Sequence, residues 1–204
     1  MDADVQRPVH TVPYGTDSPL CFTQALRARL PSDYPSGIED SAFQRLALRN
    51  DHMIEPTKTD EIKLAERVAE GMLAQDAMSR ALGISIVEVR PGYARLKMTV
   101  RADMSNSHSI CHGGAIFTLA DSAFAFACNT YNRSTVASGG SIDFVTPARI
   151  GDELTAEATE RALPGRLGLY DVTVTDQLGR PIAFFRGRSY RVSGETVTGA
   201  GNPP

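Results

Sequence analysis

The 204-residue sequence contains no apolar run approaching the roughly 18 residues that a membrane span needs. It also lacks a basic excess: 21 Lys and Arg stand against 24 Asp and Glu, a formal net charge of −3. Binding to nucleic acid or to an anionic membrane rests on a strong positive excess, so neither partner is expected. Three cysteines, Cys21, Cys111 and Cys128, are too few and odd in number for a disulfide scaffold, which points to a reducing, cytoplasmic setting. The first thirty residues have no long apolar stretch after a basic start, and Asp2, Asp4 and Asp17 are foreign to a transit peptide. Several catalytic signatures are missing as well. There is no G-x-S-x-G elbow, no phosphate-binding P-loop, no G-x-G-x-x-G and no C-x-x-C.

What is present is unevenly distributed. Six of the twelve prolines (Pro8, Pro13, Pro19, Pro31, Pro35, Pro56) fall in the first sixty residues. Each removes a backbone donor and disfavours helix before it. Residues 1–60 therefore read as an extension, partly disordered, with short helical patterns only at 22–30 and 41–48. Residues 61–192 read as one domain, and 193–204, rich in Gly, Ser and Pro, as a flexible tail.

The domain opens with a helical period over 60–81, carried by Ile62, Leu64, Ala65, Val68, Met72 and Leu73 and stopped by Gly83. Two strands are expected at 84–90 and 93–101, joined by Pro91-Gly92. In the second, Ala94, Leu96, Met98 and Val100 alternate with Arg95, Lys97, Thr99 and Arg101. From Gly113 to about Cys128 the apolar residues surround the axis instead of forming a stripe, which marks a buried helix. Four further strands are expected at 135–145, 153–162, 167–176 and 181–192. Short connections make neighbours antiparallel, and one buried helix wants a sheet curled around it. The fold class is α+β.

Chemistry concentrates between Asn106 and Asn129. His112-Gly113-Gly114 stands where the buried helix begins, and Asp121 is the one charged group inside it. First-turn amides have no partner within a helix and carry the positive end of its dipole. Glycine lets a ligand oxygen approach them, as a developing oxyanion requires, although the pair also suits a tight turn. A buried carboxylate is paired, hydrogen-bonded or functional, here as a general base or a nucleophile at an acyl carbon. Gly113 and Asp121 lie eight residues apart, about 12 Å along one helix, too far to serve one carbonyl. Two copies about a two-fold axis solve this, so a catalytic pair predicts a homodimer with sites at its interface.

Other polar residues carry weaker signals. His112 either orients substrate or braces the loop. Asn106 and Ser138 either bind substrate or water, or serve the turn and strand they sit in. His108, Cys111 and His112 lack an acid ligand and do not read as a metal site. Arg186, Arg188 and Arg191 read as a solvated strand face or as contacts to nucleotide phosphates. Phe117, Phe124, Phe126 and Tyr131 either shape an aryl pocket or pack in the core.

The run C-H-G-G-A-I-F-T-L-A-D-S-A-F-A-F-A-C-N resembles the central motif of the PaaI-type phenylacetate-pathway thioesterases of the hotdog fold. The likeness continues in A-L-G-I at 81–84, P-G-Y-A at 91–94, V-A-S-G-G-S-I-D-F-V-T-P-A at 136–148, Y-D-V at 170–172 and F-F-R-G-R-S-Y-R at 184–191. It implies a hotdog fold: an antiparallel sheet wrapped around one long buried helix, paired into dimers and often into dimers of dimers. It implies hydrolysis of acyl-CoA thioesters, especially of ring-hydroxylated phenylacetyl-CoA, with no metal and no organic cofactor. Asp121 matches the family's catalytic carboxylate. Gly113 matches the backbone donor to the thioester carbonyl, with His112 and Gly114 beside it as substrate-binding candidates. Gln75 stands where close relatives carry an asparagine near the end of the first helix, so it joins Asn106 and Ser138 as a substrate-site candidate. A non-catalytic acyl-CoA-binding module and a hotdog hydratase are the rival readings. The first has no use for a carboxylate inside the helix, and the motif favours hydrolysis over the second.

Overall fold

The computed structural model describes residues 57–200. The short helical patterns at 22–30 and 41–48 lie outside them. Helix α1 spans Lys58–Gln75. Thr57 begins it with a reciprocal cap: its hydroxyl accepts from the Asp60 amide at 3.3 Å while the Asp60 carboxylate accepts from the Thr57 amide at 3.1 Å. The face carrying Ala65, Val68 and Ala69 is buried.

The expected single helix over 60–81 is broken. Asp76 leaves helical geometry (φ −83, ψ 93) and starts a second helix, α2, Ala77–Ala81. Its carboxylate accepts from the Ser79 amide at 3.0 Å and the Ser79 hydroxyl at 2.6 Å. An aspartate that can satisfy first-turn donors competes with helix continuation, and here the cap wins over apolar periodicity.

Strands β1 (Ser85–Arg90) and β2 (Tyr93–Thr99) form the expected hairpin, with Gly92 at φ +70, a backbone state that favours glycine. Helix α3 follows at Gly113–Asn129, then β3 (Thr135–Phe144), β4 (Glu153–Ala162), β5 (Leu167–Thr175) and β6 (Pro181–Arg191). All pairings are antiparallel, in the order β1-β2-β4-β5-β6-β3. Alternation sends Leu96 and Met98 of β2, Ala156 and Ala158 of β4, Tyr170 and Val172 of β5 and Phe185 of β6 inward. There they meet Leu119, Ala120, Ala123, Phe124 and Ala127 of α3. The approach is close at Gly187, where an added Cβ would lie 2.7 Å from the Phe124 ring. Gly187→Ala is expected to cost about 1–3 kcal/mol through overpacking, seen as a lowered thermal midpoint.

Two surfaces are left uncovered by the described residues. Edge strand β3 is fully buried nowhere along its length, and Val136 and Phe144 on it are about half exposed. On α3, the strip Gly114, Phe117, Thr118, Asp121 and Ala125 reaches solvent while the rest of the helix is largely buried. The apolar girdle of α3 is thus only partly covered by the described residues.

Residues 193–200, part of the tail expected to be flexible, make hydrogen bonds to the domain. Asn132 clamps Val197 through both backbone groups, donating to its carbonyl at 3.1 Å and accepting from its amide at 2.9 Å. Thr196 donates to Asn129 Oδ1 at 2.7 Å, and Arg67 donates to the Ala200 carbonyl at 2.9 Å. These contacts come from side chains more than sixty residues away, which local composition does not reveal.

Candidate active site

The loop into α3 is fixed by its own polar groups. Asn106 Oδ1 accepts from the His108 amide at 2.9 Å and the Ile110 amide at 3.4 Å, and the Asn106 amide donates to the Ile110 carbonyl at 2.9 Å. This is turn-bracing chemistry, with Ser109 at φ +57 inside the turn. The Cys111 amide donates to the Ala148 carbonyl, and the His112 amide to that of Met104, so the loop enters the helix on a pinned backbone.

His112 is the N-cap of α3, an uncommon residue in that place. Its Nδ1 accepts from the Gly114 amide at 2.9 Å, which assigns the neutral ring proton to Nε2. Its carbonyl accepts from the Ala115 amide at 2.9 Å and the Ile116 amide at 3.4 Å. One first-turn donor is left. The Gly113 amide has no acceptor among the described residues. Gly114, expected beside it as a substrate contact, has its amide engaged by His112 instead. A Cβ on Gly113 would meet the Phe144 ring at 3.1 Å, so glycine keeps that approach open.

Asp121 lies two turns further along α3, half-buried, on the helix strip that stays uncovered. It makes no hydrogen bond and no ion pair among the described residues. Burial, and secondarily the charge of Asp76, push its carboxyl above the usual range. Of the options open to a buried carboxylate, pairing and hydrogen bonding are therefore not used within the described residues.

Asp76 has no place in the sequence-based site, although D-x-x-S at 76–79 is a helix-start signal that marks it. Burial pushes Asp76 up, but its hydrogen bonds from Ser79 outweigh that and hold its carboxyl low. Ser79 also meets the Ser122 hydroxyl at 2.9 Å, so the α1–α2 junction is tied to the residue next to Asp121. Gln75, the last residue of α1, is exposed and its side chain has no hydrogen-bond partner among the described residues. It lines a cavity of about 290 Å3 together with Met72, Asp76, Ala125, Phe126, Thr196 and Val197. Gln75 thereby shares a cavity with Ala125, which lies one turn beyond Asp121 on α3.

The remaining candidates separate from this group. Ser138 occupies the bulge of β3 and donates to the Arg188 carbonyl at 3.1 Å. Arg186 pairs with Asp171 at 2.7 Å, an exposed contact that Arg161 shares at 3.0 Å. Arg186 and Arg188 point outward from β6, but Arg191 is an odd step of three beyond Arg188 and falls on the opposite face. The three arginines do not form one stripe. Phe124 and Phe126 are core residues, whereas Phe117 is partly exposed on the strip.

A six-stranded antiparallel sheet curled around one helix, with an amide where that helix starts and a carboxylate two turns on that both lack partners among the described residues, has the form of a hotdog-fold hydrolase. Residues 108–183 match the thioesterase superfamily model. The chain is 46% identical over 131 residues to Escherichia coli acyl-coenzyme A thioesterase PaaI, a match covering 64% of this chain and 93% of that protein. The structure of the E. coli PaaI protein from the phenylacetic acid degradation operon superposes with a TM-score of 0.65 at 43% identity, covering 66% of this chain and 97% of that one. An N33D mutant of the phenylacetic acid degradation protein PaaI from Thermus thermophilus gives 0.56 at 37% identity, covering 57% and 100%. The chain belongs to the thioesterase superfamily, as a hotdog-fold thioester hydrolase.

Proposed function

We propose that the chain hydrolyses acyl-CoA thioesters to free acid and CoA, with aryl-acetyl groups preferred and phenylacetate catabolism as the setting, as a cytoplasmic homo-oligomer. The observation that carries the reading is the presence, on one helix, of a Gly113 amide and an Asp121 carboxylate that both lack a partner among the described residues. The likeness to E. coli PaaI supports the substrate class. The catalytic unit is the domain 61–192, with residues 1–60 as an appended extension.

The site forms between two protomers. Edge strand β3 and the open strip of α3 are the surfaces a second copy covers, bringing Gly113 of one protomer towards Asp121 of the partner subunit. The thioester oxygen accepts from the Gly113 amide. Asp121 takes a proton from water, whose oxygen attacks the carbonyl carbon. The tetrahedral oxyanion forms against the Gly113 donor and the helix dipole. Its collapse breaks the C–S bond, and the departing CoA thiolate receives the proton from Asp121. If Asp121 itself attacks, an acyl-aspartyl anhydride forms and water hydrolyses it. Single turnover in ¹⁸O water separates the two routes, since label enters the Asp121 carboxyl only in the second.

Thiol release from phenylacetyl-, benzoyl- and straight-chain CoA esters tests the function. The expected result is turnover of all classes tried, with the aryl-acetyl ester leading. No release from any of them overturns the proposal.

The raised Asp121 carboxyl also sets a pH dependence. The base must be ionised, so kcat/KM falls on acidification with an inflection above the ordinary carboxylate value. Asp76→Asn removes a neighbouring negative charge while leaving a residue that can still cap α2. It is expected to move that inflection to lower pH, measured from the kcat/KM profile.

A further inference from the structure

We propose that the C-terminal segment, residues 193–200, forms the far wall of the acyl pocket, and that Val197 sets the size of acyl group accepted. The inference rests on the proposed acyl-CoA hydrolysis and names a specificity determinant for it.

The cavity beside α3 supplies the argument. Its lining combines Met72 and Gln75 from α1, Asp76 from the junction with α2, Ala125 and Phe126 from α3, and Thr196 and Val197 from the C-terminal segment. Ala125 lies one turn beyond Asp121 on the same strip, about 6 Å along the axis. An acyl carbonyl within reach of Asp121 therefore has an adjacent recess. Four of the seven lining residues (Met72, Ala125, Phe126, Val197) are apolar, and the Gln75 amide has no partner among the described residues, the mixture expected of a small-molecule site.

The wall is preformed. Val197 is held at both backbone groups by Asn132, itself buried and at φ +53. Its side chain packs over Gly71 so closely that a Cβ there would lie 2.8 Å from Cγ2. Thr196 and Ala200 are tied to Asn129 and Arg67 on either side. A wall fixed at four points cannot yield freely to a longer acyl group, so the size of residue 197 becomes the limit. One methylene of fit in an apolar pocket is worth about 10–200-fold in discrimination.

The test compares kcat/KM for acetyl-, hexanoyl-, phenylacetyl- and 4-phenylbutyryl-CoA in the full chain, Val197→Ala and Val197→Phe. Val197→Ala is expected to raise the ratio of phenylbutyryl to phenylacetyl turnover about 10-fold or more. Val197→Phe is expected to lower phenylacetyl turnover by a similar factor while sparing acetyl-CoA. Wild-type ratios in both variants overturn the proposal. Calorimetric binding of phenylacetate and 4-phenylbutyrate to the wild type and Val197→Ala reads the wall without turnover. If the wild type hydrolyses nothing, the functional reading fails, yet a gain in phenylbutyrate affinity with alanine still supports the wall. No binding of either acid, or equal affinities in both proteins, overturns it.

Discussion

Asp121→Asn is expected to lower kcat for phenylacetyl-CoA by about 10²–10⁴-fold while leaving KM near its wild-type value. The substitution keeps the shape of the side chain and removes its basicity. Because no hydrogen bond or ion pair of Asp121 exists among the described residues, the fold loses nothing with it. The stability sign follows from the raised carboxyl. A group harder to ionise in the folded state than in the unfolded one favours folding at pH below its ordinary value of 3.8. That contribution is lost as pH rises through the folded value. At neutral pH Asp121 is therefore a net cost to the fold, and asparagine removes it. The thermal midpoint at pH 7 should equal or exceed that of the wild type even as thiol release collapses. Unchanged kcat would remove Asp121 from the chemistry, whereas a fall in both activity and midpoint would make it a structural residue.

The parts of this architecture that were legible in the sequence are those governed by local rules. Alternation along 93–101 placed β2 to within two residues, since one face meets α3 and the other meets water. The start of α3 at Gly113 was visible because glycine and an adjacent cap mark it, and Asp121 stood out because charge inside an apolar helix is costly. What the sequence concealed depends on distance. The break at Asp76 was hidden under a continuous apolar period, and only its D-x-x-S spacing marked the competing cap. The contacts of residues 193–200 are made with Asn129 and Asn132, far away in the chain. The engagement of the Gly114 amide by His112 was hidden for another reason: histidine is a rare N-cap, so the motif alone leaves both glycine amides open. Nor does periodicity say which apolar surface the chain covers itself. The strip from Gly114 to Ala125 reads as core and is left uncovered by the described residues.

That uncovered strip leads to the strongest test of a shared site. Gly113→Pro is expected to lower kcat by about 10²–10³-fold, the effect of deleting one oxyanion donor. Gly113 is the first residue of α3, a position where proline fits because its missing amide has no intrahelical partner. His112 before it sits at φ −63 and ψ 132, the extended geometry that a residue preceding proline prefers. The added ring approaches Phe144, which is half exposed in the single chain. The change thus removes a donor with little disturbance to the helix, and Gly113→Ala, which crowds Phe144 but keeps the amide, separates the two effects. The Gly113→Pro and Asp121→Asn chains then complement each other. In a hybrid dimer one site draws its amide from the asparagine-bearing protomer and its carboxylate from the proline-bearing one, so it is intact, while the other site lacks both groups. Hybrids isolated through two different affinity tags should recover about half of the wild-type turnover, although each parent is nearly inactive. Were both groups to act within a single protomer, every site in the hybrid would carry one defect and turnover would stay at the level of the parents.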